Sequence, residues 1–168
     1  MLFVDTNVFI YARQAGEPVK RRLAQAWIDH AWREQSGRTS MQVLSEYYVN
    51  VTRKIDPARD AHDAWDDVEA LMTWNPIPVD RALLEAGRHV EARYRLSWWD
   101  SLIVAAAQLQ GCTLLLTEDL QDGASYGGVT VRSPFTLAVS EAASAYQAVP
   151  VLASRHRSRG RPRKAVAA

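Results

Sequence analysis

The chain has 168 residues, 48% hydrophobic and 23% charged, with one cysteine and a formal net charge of +1. That is the make-up of one ordinary globular domain, typically about 100–150 residues long, and a lone thiol excludes a disulfide scaffold and a cysteine-based zinc site. No apolar run approaches the ~20 residues that span a bilayer. Met1-Leu2-Phe3-Val4-Asp5 lacks the basic start of a secretory signal, so a soluble, cytoplasmic protein is expected.

The charge is unevenly spread. Residues 155–164 (RHRSRGRPRK) hold five Arg and one Lys without an acid, and with +1 for the whole chain this +6 leaves −5 elsewhere. Residues 1–150 therefore read as a mildly acidic domain. Residues 151–168 read as a basic tail, disordered because its charged stretch has nothing apolar to bury.

In chain order, Leu2-Phe3-Val4 reads as a short buried strand ended by Asp5. Pro18 opens a helix through Leu23, Ala26, Trp27 and Ala31, which Gly37 stops. Thr39 or Ser40 caps a second helix, with Met41, Leu44, Tyr47, Tyr48 and Val51 at helical spacing. Asp56-Pro57 starts a third, carrying Ala61, Ala64, Trp65, Val68, Leu71 and Met72. Pro76-Ile77-Pro78-Val79 is strand-like, but two prolines confine it to a sheet edge. Ala82 to Tyr94 and Trp99 to Gln110 read as helices. Thr113-Leu114-Leu115-Leu116-Thr117 is the clearest strand, continuous and apolar as one covered on both faces should be. Val129-Thr130-Val131 is a last short strand, and 135–148 is helix-like. Short apolar runs alternating with longer amphipathic ones predict an α/β domain with a parallel sheet.

Two of these strands end in acids. Asp5 directly follows the first, and Asp119 follows the 113–117 strand in Thr117-Glu118-Asp119-Leu120. In open α/β sheets ligands bind outside the carboxyl ends of the strands, so a carboxylate there faces the usual site. Position alone leaves an N-cap or turn role for Asp5 equally open. Asp100, in Ser97-Trp98-Trp99-Asp100, has the spacing of a helix cap, and capping is its favoured reading on spacing. Behind it, Leu102, Ile103, Ala106 and Leu109 form an apolar face, and Ala105-Ala106-Ala107 permits close backbone packing. Glu46 lies nearly opposite Leu44, Tyr48 and Val51 on a helical projection, which makes it a solvated surface residue. His30, His62, His89 and His156 form no ligand-like pair. Trp98 and Trp99 have the chemistry to stack on bases, although packing is the readier use of both, as it is for Trp27, Trp32, Trp65 and Trp74.

Four segments in order carry a resemblance: Val4-Asp5-Thr6-Asn7-Val8; Leu44-Ser45-Glu46-Tyr47; Leu96-Ser97-Trp98-Trp99-Asp100 running on to Ala107; and Leu116-Thr117-Glu118-Asp119-Leu120. Together they resemble the PIN-domain nucleases, and most closely the VapC toxins of bacterial toxin–antitoxin pairs, over roughly residues 1–135. The resemblance implies a three-layer α/β/α fold with a central parallel sheet. It implies that Asp5, Glu46, Asp100 and Asp119 converge, reversing the surface reading of Glu46 and the capping reading of Asp100. Asn7 and Thr117 are implied supports. Asp5, Asp100 and Asp119 are the implied ligands of Mg²⁺ or Mn²⁺, with Glu46 a ligand or the group that orients the attacking water. A metal-dependent endoribonuclease toxin, a VapB-type antitoxin and a homodimer follow as expectations.

Two rivals remain in the sequence. A haloacid-dehalogenase-type phosphatase would need a second Asp two positions after Asp5, where Asn7 stands. A catalytically inactive PIN scaffold that only binds nucleic acid or protein conflicts with the presence of all four acids. Lys20-Arg21-Arg22, Arg53-Lys54 and Arg88/Arg93/Arg95 are candidate phosphate contacts on an otherwise acidic body. In the tail, Arg159-Gly160-Arg161-Pro162 resembles the core of an AT-hook, a short match that makes DNA contact by the tail a secondary expectation beside a merely solubilising role.

Overall fold

The computed structural model describes residues 1–137 and Val139. In chain order its elements are β1 (Leu2–Val4), α1 (Thr6–Arg13), α2 (Pro18–Arg33), β2 (Gly37–Arg38), α3 (Met41–Arg53), α4 (Ala61–Met72), α5 (Arg81–Tyr94), α6 (Trp98–Leu109), β3 (Leu114–Leu116), β4 (Ser125–Tyr126) and β5 (Val129–Arg132). The strands form one sheet in the order β2-β1-β3-β5-β4, parallel except for the β4–β5 pair. β1 and β3 run in register, Leu2 beside Leu114 and Val4 beside Leu116. Both strands are buried throughout, as the continuous apolar runs predict. The expected α/β fold with helices flanking the sheet is the one observed, but the sheet, expected to be parallel, carries β4 antiparallel at one edge.

The chain leaves β1 for β2 on one side, then crosses to β3 on the other. The reversal puts a topological switch point between the carboxyl ends of β1 and β3, where such sheets bind ligands. Asp5 and Thr117 are the residues that emerge there, and the Asp5 N–H donates to the Leu116 carbonyl at 3.1 Å.

Helices α1 to α4 form one packed group, α1 touching α2 and α3, and α3 touching α4. Helices α5 and α6 form a second, with α6 against β3 and β5. Their approach is close: a Cβ at Gly87 on α5 would come within 2.7 Å of Leu102 on α6. Ala105, Ala106 and Ala107 are all fully buried, as their small size suggests, whereas Leu109, expected on the apolar face, is 50% exposed.

Several expectations need correction. Helix α2 ends at Arg33, with Gln35 in the left-handed region, and Gly37 lies beyond it in β2. There, a Cβ would meet the Trp74 ring at 2.7 Å, so Gly37 answers to packing. Helix α4 starts at Ala61, capped by Asp60 rather than by Asp56. Of the two offered caps of α3, Ser40 serves, its Oγ accepting from the Val43 N–H. Ile77 makes one parallel bridge to Ser40, the edge position its flanking prolines allow. Helix α1 is built from β-favouring residues, Val8-Phe9-Ile10-Tyr11, which hide it from propensity. Residues 134–137 are turn and bend, and the rest of the 135–148 segment, like the 151–168 tail, lies outside the described residues apart from Val139. No helix among the described residues is long and apolar enough to cross a membrane.

Candidate active site

Asp5 caps α1, its Oδ1 accepting from the Thr6 N–H at 2.7 Å. Its other oxygen accepts from the Thr117 hydroxyl at 2.7 Å and from the Asn7 amide at 3.4 Å. Of the two roles left open by position, the N-cap is thus filled. Asp5 is only 7% exposed, and burial is the main reason its carboxyl is pushed up from 3.8 to about 6. The hydrogen bonds from Thr117 and Thr6 oppose that rise, and the nearby charges of Asp119 and Glu46 add to it. A buried carboxylate facing two like charges is strained when ionised.

Asn7 and Thr117 knit the two strand ends together. The Asn7 amide donates to Thr117 Oγ1 at 2.9 Å and to Asp119 Oδ2 at 3.0 Å. The Asp119 N–H in turn donates to Thr117 Oγ1 at 3.1 Å. Thr117 is fully buried, which holds this hydroxyl in place between the two acids.

Glu46 reaches the same place from α3. Its Oε2 accepts from the Thr6 hydroxyl and its Oε1 from the Gln42 amide, both at 3.0 Å. Helix α3 is covered on more than one side. Val43, Leu44, Tyr47 and Val51 serve the core, while Gln42 is also buried and lies one turn before Glu46. The surface reading from helical projection is thus wrong, since a helix packed against both α1 and α4 has no single solvated face.

Asp100 keeps its capping chemistry and joins the site as well. Ser97 Oγ accepts from the Asp100 N–H at 3.2 Å and donates to Asp100 Oδ2 at 2.7 Å. Asp5, Glu46, Asp100 and Asp119 all line one open cavity of about 670 Å³. The structure thus brings together all four acids, with Asn7 and Thr117 beside them. Thr6, Gln42 and Ser97 are supports that composition does not single out. The i, i+4 spacing of Gln42 and Glu46 and the cap spacing of Ser97 and Asp100 are the sequence signals for two of them.

The donor set is all oxygen, which suits a hard divalent cation. Among the described residues no three His, Cys, Asp or Glu side chains form a ready-made cage. Mg²⁺, which keeps waters and takes one or two carboxylates together with phosphate oxygens, is a cation for which such oxygen donors suffice. A cation would also relieve the strain on Asp5. The Oδ1 of Asn7 is buried without a partner, one more hard oxygen beside the acids.

A mostly parallel sheet with acids gathered at its switch point defines a class of protein, and comparison gives that class a name. This chain belongs to the PIN-domain family, whose model matches residues 2–121. Among solved structures it is similar to a toxin–antitoxin complex from Klebsiella pneumoniae, with 24% identity and a TM-score of 0.56 over 80% of this chain and 98% of that one. It is also similar to VapBC2 from Rickettsia felis, bound to a DNA fragment from its promoter, with 13% identity and a TM-score of 0.55 over 79% of this chain and 98% of that one. At these identities the likeness is one of fold. Comparison with curated proteins gives no match.

Proposed function

We propose that this chain is a VapC-type toxin: a metal-dependent endoribonuclease that hydrolyses RNA phosphodiester bonds to a 3′-hydroxyl and a 5′-phosphate. The observation that carries this reading is the convergence of Asp5, Glu46, Asp100 and Asp119 in one open cavity at the switch point.

A divalent cation such as Mg²⁺ or Mn²⁺, if bound there, would supply charge neutralisation at the attacked phosphate and a more acidic water. Asp5, Asp100 and Asp119 are the residues that would hold it, directly or through water. Thr117 and Asn7 fix Asp5 relative to Asp119, so the ligands on the two strand ends keep one spacing. Glu46, held at both oxygens by Thr6 and Gln42, orients the attacking water. Arg21, Arg22, Arg53, Lys54, Arg88, Arg93 and Arg95 are exposed and free to meet RNA phosphates.

The likeness to toxin–antitoxin complexes supports a cognate antitoxin of the VapB type, and a homodimer is part of the same proposal. The chain would act in the cytoplasm, where its RNA targets are.

The test is cleavage of total cellular RNA by purified protein in Mg²⁺, in Mn²⁺ and in chelator, with Asp100→Asn beside it. Discrete, metal-dependent products from the wild type alone are expected. Absence of cleavage by antitoxin-free protein in either metal would favour an inactive PIN scaffold. Equal cleavage by Asp100→Asn would refute the site assignment.

A further inference from the structure

The cavity that gathers the acids also has an apolar lining. Val79, Trp99, Leu102 and Ile103 line it together with the carboxylates. Leu102 and Ile103 are buried, so they form a fixed apolar wall. Trp99, one turn before them on α6, lines the same cavity and is 63% exposed, the most exposed of the large hydrophobic side chains among the described residues.

Its neighbours in sequence and kind behave differently. Trp98 packs against the core. Trp32 and Trp65 are also partly exposed, but each makes an edge contact with another ring, Trp74 and Tyr48 respectively. Trp99 has no ring partner among the described residues. It is also on the first turn of α6, next to Asp100, and α6 is locked against α5. An open indole on a rigid helix costs hydration free energy and gives nothing to the core.

We infer that Trp99 is a stacking platform for an unpaired nucleobase next to the phosphodiester being cut. The inference rests on the nuclease reading above and names how that site holds its substrate. A base joined through ribose to a phosphate is the group that suits both linings of the cavity. Its phosphate would meet a cation held by the acids, and its flat apolar face the indole. Stacking requires a splayed-out base, so the preferred substrate is single-stranded or looped RNA. Stacking of this kind tolerates any base, so Trp99 sets strandedness rather than sequence.

The experiment compares wild type, Trp99→Phe and Trp99→Leu, with folding checked by circular dichroism. Two labelled probes are titrated in Ca²⁺ and followed by fluorescence anisotropy: single-stranded oligouridylate, and an abasic ribose-phosphate chain of equal length. Total RNA cleavage by each protein in Mg²⁺ is run in parallel. The expected result is about 5- to 150-fold weaker oligouridylate binding by Trp99→Leu, unchanged binding of the abasic chain, and near-wild-type behaviour of Trp99→Phe. Oligouridylate should also quench indole emission in the wild type more than in Trp99→Phe. If the wild type cleaves RNA but Trp99→Leu binds both probes as the wild type does, the stacking role is overturned and the nuclease reading stands. If the wild type neither cleaves nor binds, both fall. If Trp99→Leu leaves probe binding intact but shifts the size-exclusion profile, the indole serves a contact between copies and the inference is wrong.

Discussion

Replacing Asp5 by Asn should change how the stability of this protein depends on pH. In the folded chain the Asp5 carboxyl is pushed up to about 6, against 3.8 for an ordinary aspartate, chiefly by burial. A group whose folded value is raised stabilises the fold fully below 3.8, and that contribution is lost as pH rises to about 6. At ~1.4 kcal/mol per pH unit, ionised Asp5 costs the metal-free protein about 3 kcal/mol above that window. Asp5→Asn removes the titration while keeping the shape. It also alters the hydrogen bonds to Thr6 and Thr117, but that effect does not vary with pH.

Urea unfolding in chelator at a series of pH values from 4 to 8 isolates the term as the difference between the two proteins. The wild type should lose about 3 kcal/mol relative to Asp5→Asn across the window. Added Mg²⁺ at the upper end should restore stability to the wild type and little to the variant, because it binds only the folded site. Parallel pH curves for the two proteins would refute the strained-carboxylate argument. Equal gains from Mg²⁺ would show that the cation binds elsewhere.

Three further outcomes follow from the same contacts. Glu46→Gln keeps the size and the Thr6 and Gln42 partners but removes the charge; it should lower RNA cleavage by about 10²- to 10⁴-fold with an unchanged melting temperature, and retained activity would remove Glu46 from the mechanism. Lys20 bridges Glu118 at 2.8 Å and the Tyr11 hydroxyl at 3.0 Å and lies over the Tyr11 and Phe135 rings. Lys20→Met should cost about 1–2 kcal/mol in urea unfolding and, since Glu118 adjoins Asp119, weaken Mn²⁺ binding read by electron paramagnetic resonance, with Lys20→Arg intermediate; unchanged Mn²⁺ affinity would confine the bridge to stability. Gly37→Ala, pressed on the Trp74 ring, should destabilise by about 1–3 kcal/mol, whereas Gly16→Ala, with nothing within 4 Å, should be near neutral in the same unfolding assay.

The local chemistry of the site was largely legible in the residues. Asp5 and Asp119 follow strands whose apolar continuity marks them as buried, so their place at the sheet's carboxyl edge can be read directly. Ser97 and Asp100 also show their cap, because capping depends on spacing within one turn. What these signals lack is direction across the fold. A helical projection of α3 assumes one buried face, and it sent Glu46 to solvent. Packing against both α1 and α4 gives α3 a second buried strip, where Gln42 and Glu46 meet Thr6. Only the family resemblance set Glu46 beside the other acids, where it lines their cavity. The two tryptophans beside Asp100 divide in the same way: identical in composition, one packs on the core and the other stands open at the cavity.

By itself the sequence determined the alternation of buried strands and amphipathic helices, the acids at two strand ends and the uneven charge of the chain. Each of these depends on neighbours within a few residues, so periodicity and capping rules reach them. The tertiary structure decided which groups meet. It joined β1 and β3 in register across more than a hundred residues of chain, bridged them through Asn7 and Thr117, and buried Asp5 deeply enough to raise its carboxyl. It also forced α1 out of residues that favour strands, since capping by Asp5 and burial of Val8 and Phe9 against the core outweigh intrinsic propensity. Convergence of charge is a property of distances between elements, and no local pattern encodes those distances.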